Sequence, residues 1–143
     1  MRILNINSYY YSSTVHRQLQ KALQANGTDT LTYVPLARGY VPRDECIYGD
    51  EKTVLPSECY NEFDRYIFHL KHNKILNDIK QRINLKDFTC MHAHSLFSNG
   101  YIAMRIKEEM EIPYVVAVRG TDLNLFFKYM VHLKRLGQKI LKQ

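Results

Sequence analysis

The sequence lacks several features that would assign it to a protein class at once. It has no tryptophan, six glycines, four prolines and three cysteines among 143 residues. Cys46, Cys59 and Cys90 are odd in number and form no C-x-x-C pair, which argues against a disulfide framework and against a zinc site. No apolar run approaches the ~20 residues of a membrane span. Asn5 and Asn7 interrupt the apolar N-terminus, so we expect no secretory signal there.

Common nucleotide-binding loops are also missing. Neither the G-x-G-x-x-G of dinucleotide-binding domains nor a P-loop with its lysine is present, so we expect no bound cofactor. No known nucleic-acid-binding module is visible and the basic residues are scattered, which disfavours a nucleic-acid partner. The formal net charge is +6, however, and this favours anionic ligands such as phosphates, nucleotides or anionic lipid headgroups.

What the sequence does contain is an alternation of strand-like and helix-like segments. Apolar or β-branched runs predict strands at residues 2–6, 30–34, 88–92 and 114–118. Pro35 is expected to end the second strand, and the continuous apolar run of the last is typical of a strand buried on both faces. Helical spacing of apolar residues predicts helices between and after these strands. The alternation predicts one α/β domain, a Rossmann-like three-layer fold with a mostly parallel sheet and helices on both faces.

Three stretches carry more specific expectations. In the first helix Val15, Leu19, Ala22 and Leu23 are the apolar positions, and Asn26-Gly27 is expected to end it. Residues 38–59 mix glycine, proline and charge, which predicts a long irregular excursion. A last helix from residue 123 onward has an apolar face and a basic face. Such a helix either packs on the core or lies on an anionic membrane surface, so peripheral membrane contact stays open.

Polar residues cluster where the predicted strands end. Ligands of open α/β sheets bind beyond the carboxyl ends of the strands, where loops meet helix N-termini. This rule selects residues 7–11, 92–100 and 119–122. In the first segment Tyr9, Tyr10 and Tyr11 are either a platform on which a sugar stacks or loop residues folded under the excursion.

The second segment contains two histidines. Alternation along a strand places His92 and His94 on one face, an arrangement in which both rings can bind the same metal ion. A zinc site normally requires further ligands, however, and none is obvious nearby. His94 either packs beneath the end of the sheet or faces a cleft and contacts hydroxyls or phosphate. Asn99-Gly100 opens a helix, where Ser98 or Asn99 acts as a cap, or where free N–H groups attract an anion and Gly100 allows a close approach.

The third segment ends the most apolar run of the chain. Arg119 is suited to bidentate binding of a carboxylate or phosphate. Asp122 is suited to accepting hydrogen bonds from sugar hydroxyls. The structural alternative is that Thr121 or Asp122 caps the next helix while Arg119 pairs with Asp122.

Taken together, these motifs resemble a known family. The stretches are C-M-H-A-H-S-L-F-S-N-G (90–100), Ile102-Ala103 and I-P-Y-V-V-A-V-R-G-T-D (112–122). They resemble the N-terminal domain of retaining glycosyltransferases with two Rossmann-like domains (GT-B), family 4 in particular. That family has a strand ending in H-x-H, a glycine at the start of a helix, and a proline-led strand ending in H-G-x-D or R-G-x-D. The resemblance is specific over residues 90–122 and covers the rest of the chain only in layout.

The resemblance implies transfer of a sugar from a nucleotide-diphosphate donor to a glycan or lipid-linked acceptor, with retained configuration and no obligatory metal. It implies that His94 lies near the transferred sugar as the catalytic residue. The substrate-binding set it implies, together with the strand-end rule, is Asn7, Ser8, Tyr9, Ser95, Asn99, Gly100, Arg119, Gly120, Thr121 and Asp122. Two positions depart from the family: the first loop lacks a Gly-Gly pair, and Arg119 stands where many members have histidine.

In that family a second, C-terminal domain holds most of the donor, and the sequence stops at Gln143 without it. We therefore expect this domain to be inactive alone, and to work in the cytoplasm, at the inner face of the membrane if the acceptor is a lipid. Two other hypotheses remain open. One is a stand-alone Rossmann-like ligand-binding or regulatory module without catalysis, and the other is a metal-dependent hydrolase that uses His92, His94 and Asp122.

Overall fold

A single parallel sheet forms the centre of the molecule. The computed structural model describes residues 1–40 and 52–143. Within them, five strands pair side by side in the order β3-β2-β1-β4-β5, every pair being parallel. The strands are β1 (Arg2–Ile6), β2 (Asp29–Ala37), β3 (Val54–Tyr60), β4 (Cys90–Ala93) and β5 (Tyr114–Val116). This confirms the predicted α/β, Rossmann-like fold.

Helices cover both faces of the sheet. The described residues contain α1 (Thr14–Ala25), α2 (Phe68–Arg82), α3 (Ser98–Met110) and α4 (Lys134–Lys142). Helices α2 and α3 bury one face, where Leu4, Ile6 and Met91 join Ile79 and Ile102 in the main hydrophobic core. Helix α4 packs on α3 in a second cluster. As predicted, α1 ends at Asn26-Gly27, where Gly27 takes a φ of 76° that suits a residue without Cβ.

The other face of the sheet, under α1, is unusually polar. Asn5 on β1 and Thr32 on β2 point to this side, and the Thr32 hydroxyl donates to Gln20 of α1 at 2.8 Å. The two buried residues of α1 are His16 and Gln20, whereas Val15 is 63% exposed. The apolar spacing of Val15 and Leu19 therefore predicted the helix correctly but indicated the wrong buried face.

Two predictions about the edge beyond β2 are wrong. Pro35 does not end β2, which continues to Ala37, because β1 stops pairing with β2 at Tyr33 and Pro35 has no β1 partner that would need its N–H. Residues 54–59, expected in an irregular excursion, lie in edge strand β3. The preceding part of that predicted excursion, residues 41–51, lies outside the described residues.

The strand at the opposite edge is shorter and more exposed than predicted. Residues 114–118 were expected to be buried on both faces, but β5 covers only Tyr114–Val116 and Val115 is 56% exposed. The reason is its position: β5 pairs with β4 alone and has no strand on its outer side among the described residues. The apolar run itself does not say whether a strand is central or at an edge.

The C-terminal segment is broken rather than one helix. A π-helical segment (Asp122–Phe127) is followed by a 3-10 turn (Val131–Leu133) and then by α4. Leu133 and Ile140 are buried against α3, so the apolar side of this segment packs on the core. No helix in the described part of the chain has both the length and the apolar character needed to cross a bilayer.

The topology fixes where a ligand site is expected. The chain runs outward from β1 to β2 and β3, then crosses back to β4 on the other side of β1. The loops after β1 and β4 therefore leave in opposite directions, and a crevice opens between them at the carboxyl ends of these strands.

Candidate functional site

The three strand-end segments selected from the sequence meet at this crevice. Ser8, after β1, donates from its hydroxyl to Asn99 Oδ1 on α3 at 2.7 Å. Arg119, after β5, donates from Nε to the carbonyl oxygen of His94 at 2.9 Å. Hydrogen bonds thus join the loop of β1 to α3 and the loop of β5 to the end of β4.

Between the segments lies a depression of about 250 Å³, which we call the strand-end cleft. Five of the predicted site residues line it: Tyr9, Ser95, Arg119, Thr121 and Asp122. His16, Ser12 and Ser13 complete the lining. The remaining predicted residues, Asn7, Ser8, His94, Asn99, Gly100 and Gly120, lie around the cleft without lining it.

Asp122 holds the loop of β5 in place. Its Oδ2 accepts the backbone N–H of Arg119 at 2.9 Å and that of Leu96 at 3.1 Å, and the residue is 3% exposed. The predicted pairing of Arg119 with Asp122 is therefore a backbone contact and not a side-chain ion pair. Among the described residues neither Nη group of Arg119 forms a hydrogen bond, so both are free to bind an anion at the cleft.

Three histidine rings lie side by side under the cleft. The His92 and His94 ring centroids are 4.1 Å apart, as their predicted common face requires, and those of His94 and His16 are 5.0 Å apart. Burial, together with the positive charge of Arg119 and the neighbouring histidines, lowers the pKa of His94 to about 3 and that of His16 to about 4. Both rings are therefore neutral at physiological pH.

His16 is the histidine that lines the cleft, and it was not among the site residues predicted from the sequence. The side-chain amide of Asn7 donates to His16 Nδ1 at 2.8 Å, and His94 Nδ1 approaches the same nitrogen at 3.1 Å. Because Asn7 donates to it, His16 Nδ1 is the unprotonated nitrogen, and the proton of the neutral ring is on Nε2. Within residues 1–40 and 52–143 no group accepts a hydrogen bond from this Nε2–H, so His16 has a donor available for a ligand. A histidine in the first turn of an otherwise apolar-spaced helix was the only sequence signal.

His94 itself is buried and does not line the cleft. His94 thus lies beneath the end of the sheet, which is the first of the two arrangements predicted for it. Its ring lies against those of His92 and His16, its carbonyl oxygen accepts from Arg119 Nε, and its Nε2 is 3.4 Å from Asn5 Oδ1. His94 thus supports two cleft residues, and a direct role on substrate stays a prediction.

The start of α3 differs in detail from the prediction. Neither Ser98 nor Asn99 caps this helix; the hydroxyl of Ser95 accepts the Asn99 backbone N–H at 3.3 Å instead. Asn99 is fully buried, and its Nδ2 has no hydrogen-bond partner within the described structure. Gly100 faces inward: a Cβ there would lie 3.1 Å from Ile140 and 3.2 Å from the Ser95 carbonyl oxygen. The need for glycine at this position therefore comes from helix packing rather than from ligand approach.

The three tyrosines after β1 divide between the two predicted roles. Tyr9 is 42% exposed and lines the cleft, where its ring is accessible to a ligand. Tyr10 and Tyr11 are buried with Val34 and Val54 in a small apolar cluster under β2 and β3.

The geometry gives the metal hypothesis no support among the described residues. They contain no group of three or more His, Cys, Asp and Glu side chains arranged to hold an ion. Asp122, the third residue of that hypothesis, accepts two backbone N–H groups with the same oxygen. The cleft therefore presents a guanidinium group, an imidazole N–H, hydroxyls and an aromatic ring, a set suited to an anionic and hydroxylated ligand.

Comparison with known proteins adds no assignment. The chain matches no model of a known protein family, and no curated protein sequence matches it significantly. The fold and the geometry of the cleft are accordingly what support a function.

Proposed function

We propose that this domain is the N-terminal, acceptor-side half of a glycosyltransferase that moves a sugar from a nucleotide-diphosphate donor to a glycan or lipid-linked acceptor. The observation that carries the proposal is the strand-end cleft. Residues of the two motifs that resemble family 4 glycosyltransferases, around Ser95 and around Arg119, line one depression at the topological switch point. An unrelated module of this fold has no need to combine them there.

The cleft residues divide into two chemical roles under this proposal. The free Nη groups of Arg119 bind a phosphate or carboxylate oxygen in bidentate fashion. His16, through Nε2–H, and Ser95, through its hydroxyl, bind sugar hydroxyls, and the exposed ring of Tyr9 packs on an apolar face of the sugar. His94 acts as a positioning residue, because it contacts His16 and Arg119 and not the cleft.

Sugar transfer breaks the bond between the anomeric carbon and a diphosphate oxygen and forms one to an acceptor hydroxyl oxygen, whose proton passes to the departing diphosphate. The developing charge on the diphosphate needs stabilisation by several donors. Arg119 supplies one cationic group at the cleft, and we propose that a second domain supplies the others. Sugar released from a nucleotide sugar by this chain alone would contradict that division.

Ligand titration of the isotope-labelled chain tests the proposal. UDP, GDP and their glucose conjugates are added while backbone amide shifts are followed by NMR. We expect the shift changes to centre on Tyr9, Ser95 and residues 119–122. Arg119→Gln should weaken binding about tenfold, the effect of losing a charge-assisted contact.

The matched control is Arg135→Gln, which changes an exposed arginine on α4 away from the cleft. It should leave the affinity unchanged. Absence of any shift at millimolar nucleotide sugar, or equal weakening by the two arginine variants, would remove the support for a donor role of this cleft. Binding of a sugar without a nucleotide at the same residues would instead favour a simple ligand-binding module.

A further inference from the structure

A second and larger pocket lies next to the strand-end cleft, and the function proposed above does not use it. It has a volume of about 540 Å³, and Tyr9 lines both spaces. Its walls come from the loop after β1, the end of β3, the 3-10 turn Glu62–Tyr66, the start of α2, the segment that leads into α3 and the region of the 3-10 turn Val131–Leu133. We call it the aromatic pocket, after the residues Tyr60, Arg65, Tyr66, Phe68, Lys71 and His72.

The aromatic pocket is positively charged, and no carboxylate of the described residues balances that charge. Arg65 and Lys71 line it, and among residues 1–40 and 52–143 its lining includes no aspartate or glutamate. Neither cation forms an ion pair with a carboxylate of the described residues; Lys71 Nζ lies 4.9 Å from the centre of the Tyr60 ring instead. Burial and the positive charge of Arg65 lower the pKa of Lys71. An anion bound between the two cations would relieve this repulsion.

His72 adds a requirement for a hydrogen-bond donor. Its Nδ1 lies 2.6 Å from the carbonyl oxygen of Phe68, and because a carbonyl oxygen only accepts, Nδ1 carries the proton. Burial lowers the pKa of His72 to about 4, so the ring is neutral and Nε2 is an acceptor. This residue is 3% exposed, and Nε2 has no hydrogen-bond partner within the described structure. A buried polar atom of this kind normally has a partner.

Tyrosine and phenylalanine rings make up half of the remaining lining residues. Phe68 stacks on His72 at 4.0 Å between ring centres, while Tyr9 and Tyr66 are exposed at the rim. Rings of this kind pack against the C–H faces of sugars and other polyols, and the tyrosine hydroxyls interact with polar substituents. Cations, a buried acceptor and aromatic faces thus occur together in one pocket.

We propose that the aromatic pocket binds a phosphorylated polyol, such as a sugar phosphate, with the phosphate between Arg65 and Lys71 and a hydroxyl donating to His72 Nε2. A phosphate monoester carries close to two negative charges at neutral pH, which matches two cations better than a diester does. This proposal depends on residues other than those of the strand-end cleft, except for Tyr9. It therefore stands whether or not the domain is half of a transferase.

Three probes separate the parts of this proposal. Glucose 6-phosphate has both the phosphate and the hydroxyls, methyl phosphate has only the phosphate, and glucose has only the hydroxyls. Titrated into the isotope-labelled chain, glucose 6-phosphate should bind most tightly and shift the amides of residues 65–72. Lys71→Met should weaken both phosphates about tenfold. Lys86→Met, on the exposed turn before β4, is the matched control and should change neither affinity.

The His72 variant tests the hydroxyl contact specifically. His72→Phe keeps an aromatic ring but removes the acceptor. It should therefore weaken the binding of glucose 6-phosphate and leave the affinity for methyl phosphate unchanged. Equal affinities of the two phosphates for the wild-type chain, equal effects of Lys71→Met and Lys86→Met, or shifts centred on Arg119 would each overturn the proposal. If His72→Phe does not fold, as judged from its amide spectrum, Arg65→Gln and Lys71→Met with the three probes still decide the question.

Discussion

A single buried carboxylate, Asp122, determines the shape of the strand-end cleft at the scale of residues. It connects the loop after β5 to the loop after β4 through the backbone N–H groups of Arg119 and Leu96. The sequence motif R-G-T-D suggested a ligand-binding aspartate, and the structure shows this aspartate bound to the protein's own backbone. The main role of Asp122 is therefore to fix the position of the Arg119 backbone.

Asp122→Ala should lower the free energy of unfolding by about 3 kcal/mol, because it leaves two backbone N–H groups without their charged acceptor. Urea denaturation measures this loss. Asp29→Ala is the control, since Asp29 is an exposed partner of Arg2 and such surface pairs contribute less than about 1 kcal/mol. Equal losses in the two variants would show that the Asp122 contacts contribute no more than an exposed ion pair.

The buried histidines make a pH dependence of stability inevitable. His16, His72 and His94 have pKa values of about 4, 4 and 3 in the folded protein, all below the ordinary 6.5. The unfolded chain therefore takes up protons first as the pH falls. The free energy of unfolding should be constant above about pH 6.5 and fall below it, by about 1 kcal/mol or more per pH unit down to about pH 4.

Urea denaturation at several pH values between about 7 and 4.5 measures this slope. His16→Gln should reduce the slope, because it removes one of the depressed groups. A stability that does not change between pH 7 and 5 would contradict the neutral, buried state of the three rings.

At the scale of elements, the contact of α3 with its neighbours depends on one glycine. Gly100 lies against Val116 of β5, Ile140 of α4 and the carbonyl oxygen of Ser95, and an added Cβ would lie 3.1–3.2 Å from each, closer than ordinary van der Waals contact. The same glycine was predicted from the sequence as a point of ligand approach. Sequence alone does not distinguish the two roles, because both require the absence of a Cβ.

Gly100→Ala should destabilise the protein by about 1–2 kcal/mol, since overpacking outweighs the better helix propensity of alanine. Gly120→Ala is the matched control: its added Cβ would lie 3.7 Å from the nearest atom, Asn124 Nδ2, which is an ordinary contact. Thermal or urea denaturation of the two variants gives the comparison. A Gly100→Ala variant as stable as the wild-type chain would mean that α4 and β5 shift away from α3 at little cost.

The strands and helices also show which features of the fold could be predicted from sequence patterns. Strand β1 was predicted with its observed bounds, because its apolar run starts at the N-terminus and ends in polar residues. Strand β3 was missed, because Pro56 and Glu58 interrupt its apolar pattern and its edge position tolerates both. The buried face of α1 was misassigned because its partner is the polar side of the sheet, and hydrophobic spacing carries no information about such an interface.

For the molecule as a whole, the parallel sheet is strongest at its centre. Strand β1 has a partner on each side, whereas β5 has one, and four of the five strands, β1 to β4, bury side chains in the core formed with α2 and α3. The Rossmann-like layout was predictable because alternation of strands and helices leaves few topologies. The cleft was predictable as a location, through the switch-point rule, but not in its details: His16 enters it from a helix whose face the sequence misidentified.

Hydrogen exchange should follow this layout. The amides of Leu4 and Ile6 in β1 should exchange only with global unfolding, and those of β5 and residues 120–133 at least about tenfold faster, through local opening. Mass spectrometry or NMR on the native chain measures both sets. Equal protection of β1 and β5 would show that the sheet opens as one cooperative unit.

Tyr9 stands between the strand-end cleft and the aromatic pocket and contributes to the lining of both. A ligand that reorients this ring from one side alters the surface offered to a ligand on the other. Thermodynamic linkage then requires reciprocity: whatever factor the first ligand applies to the affinity of the second, the second applies to that of the first. The two sites would thus be cooperative, with either sign, through one side chain and without any movement of the sheet.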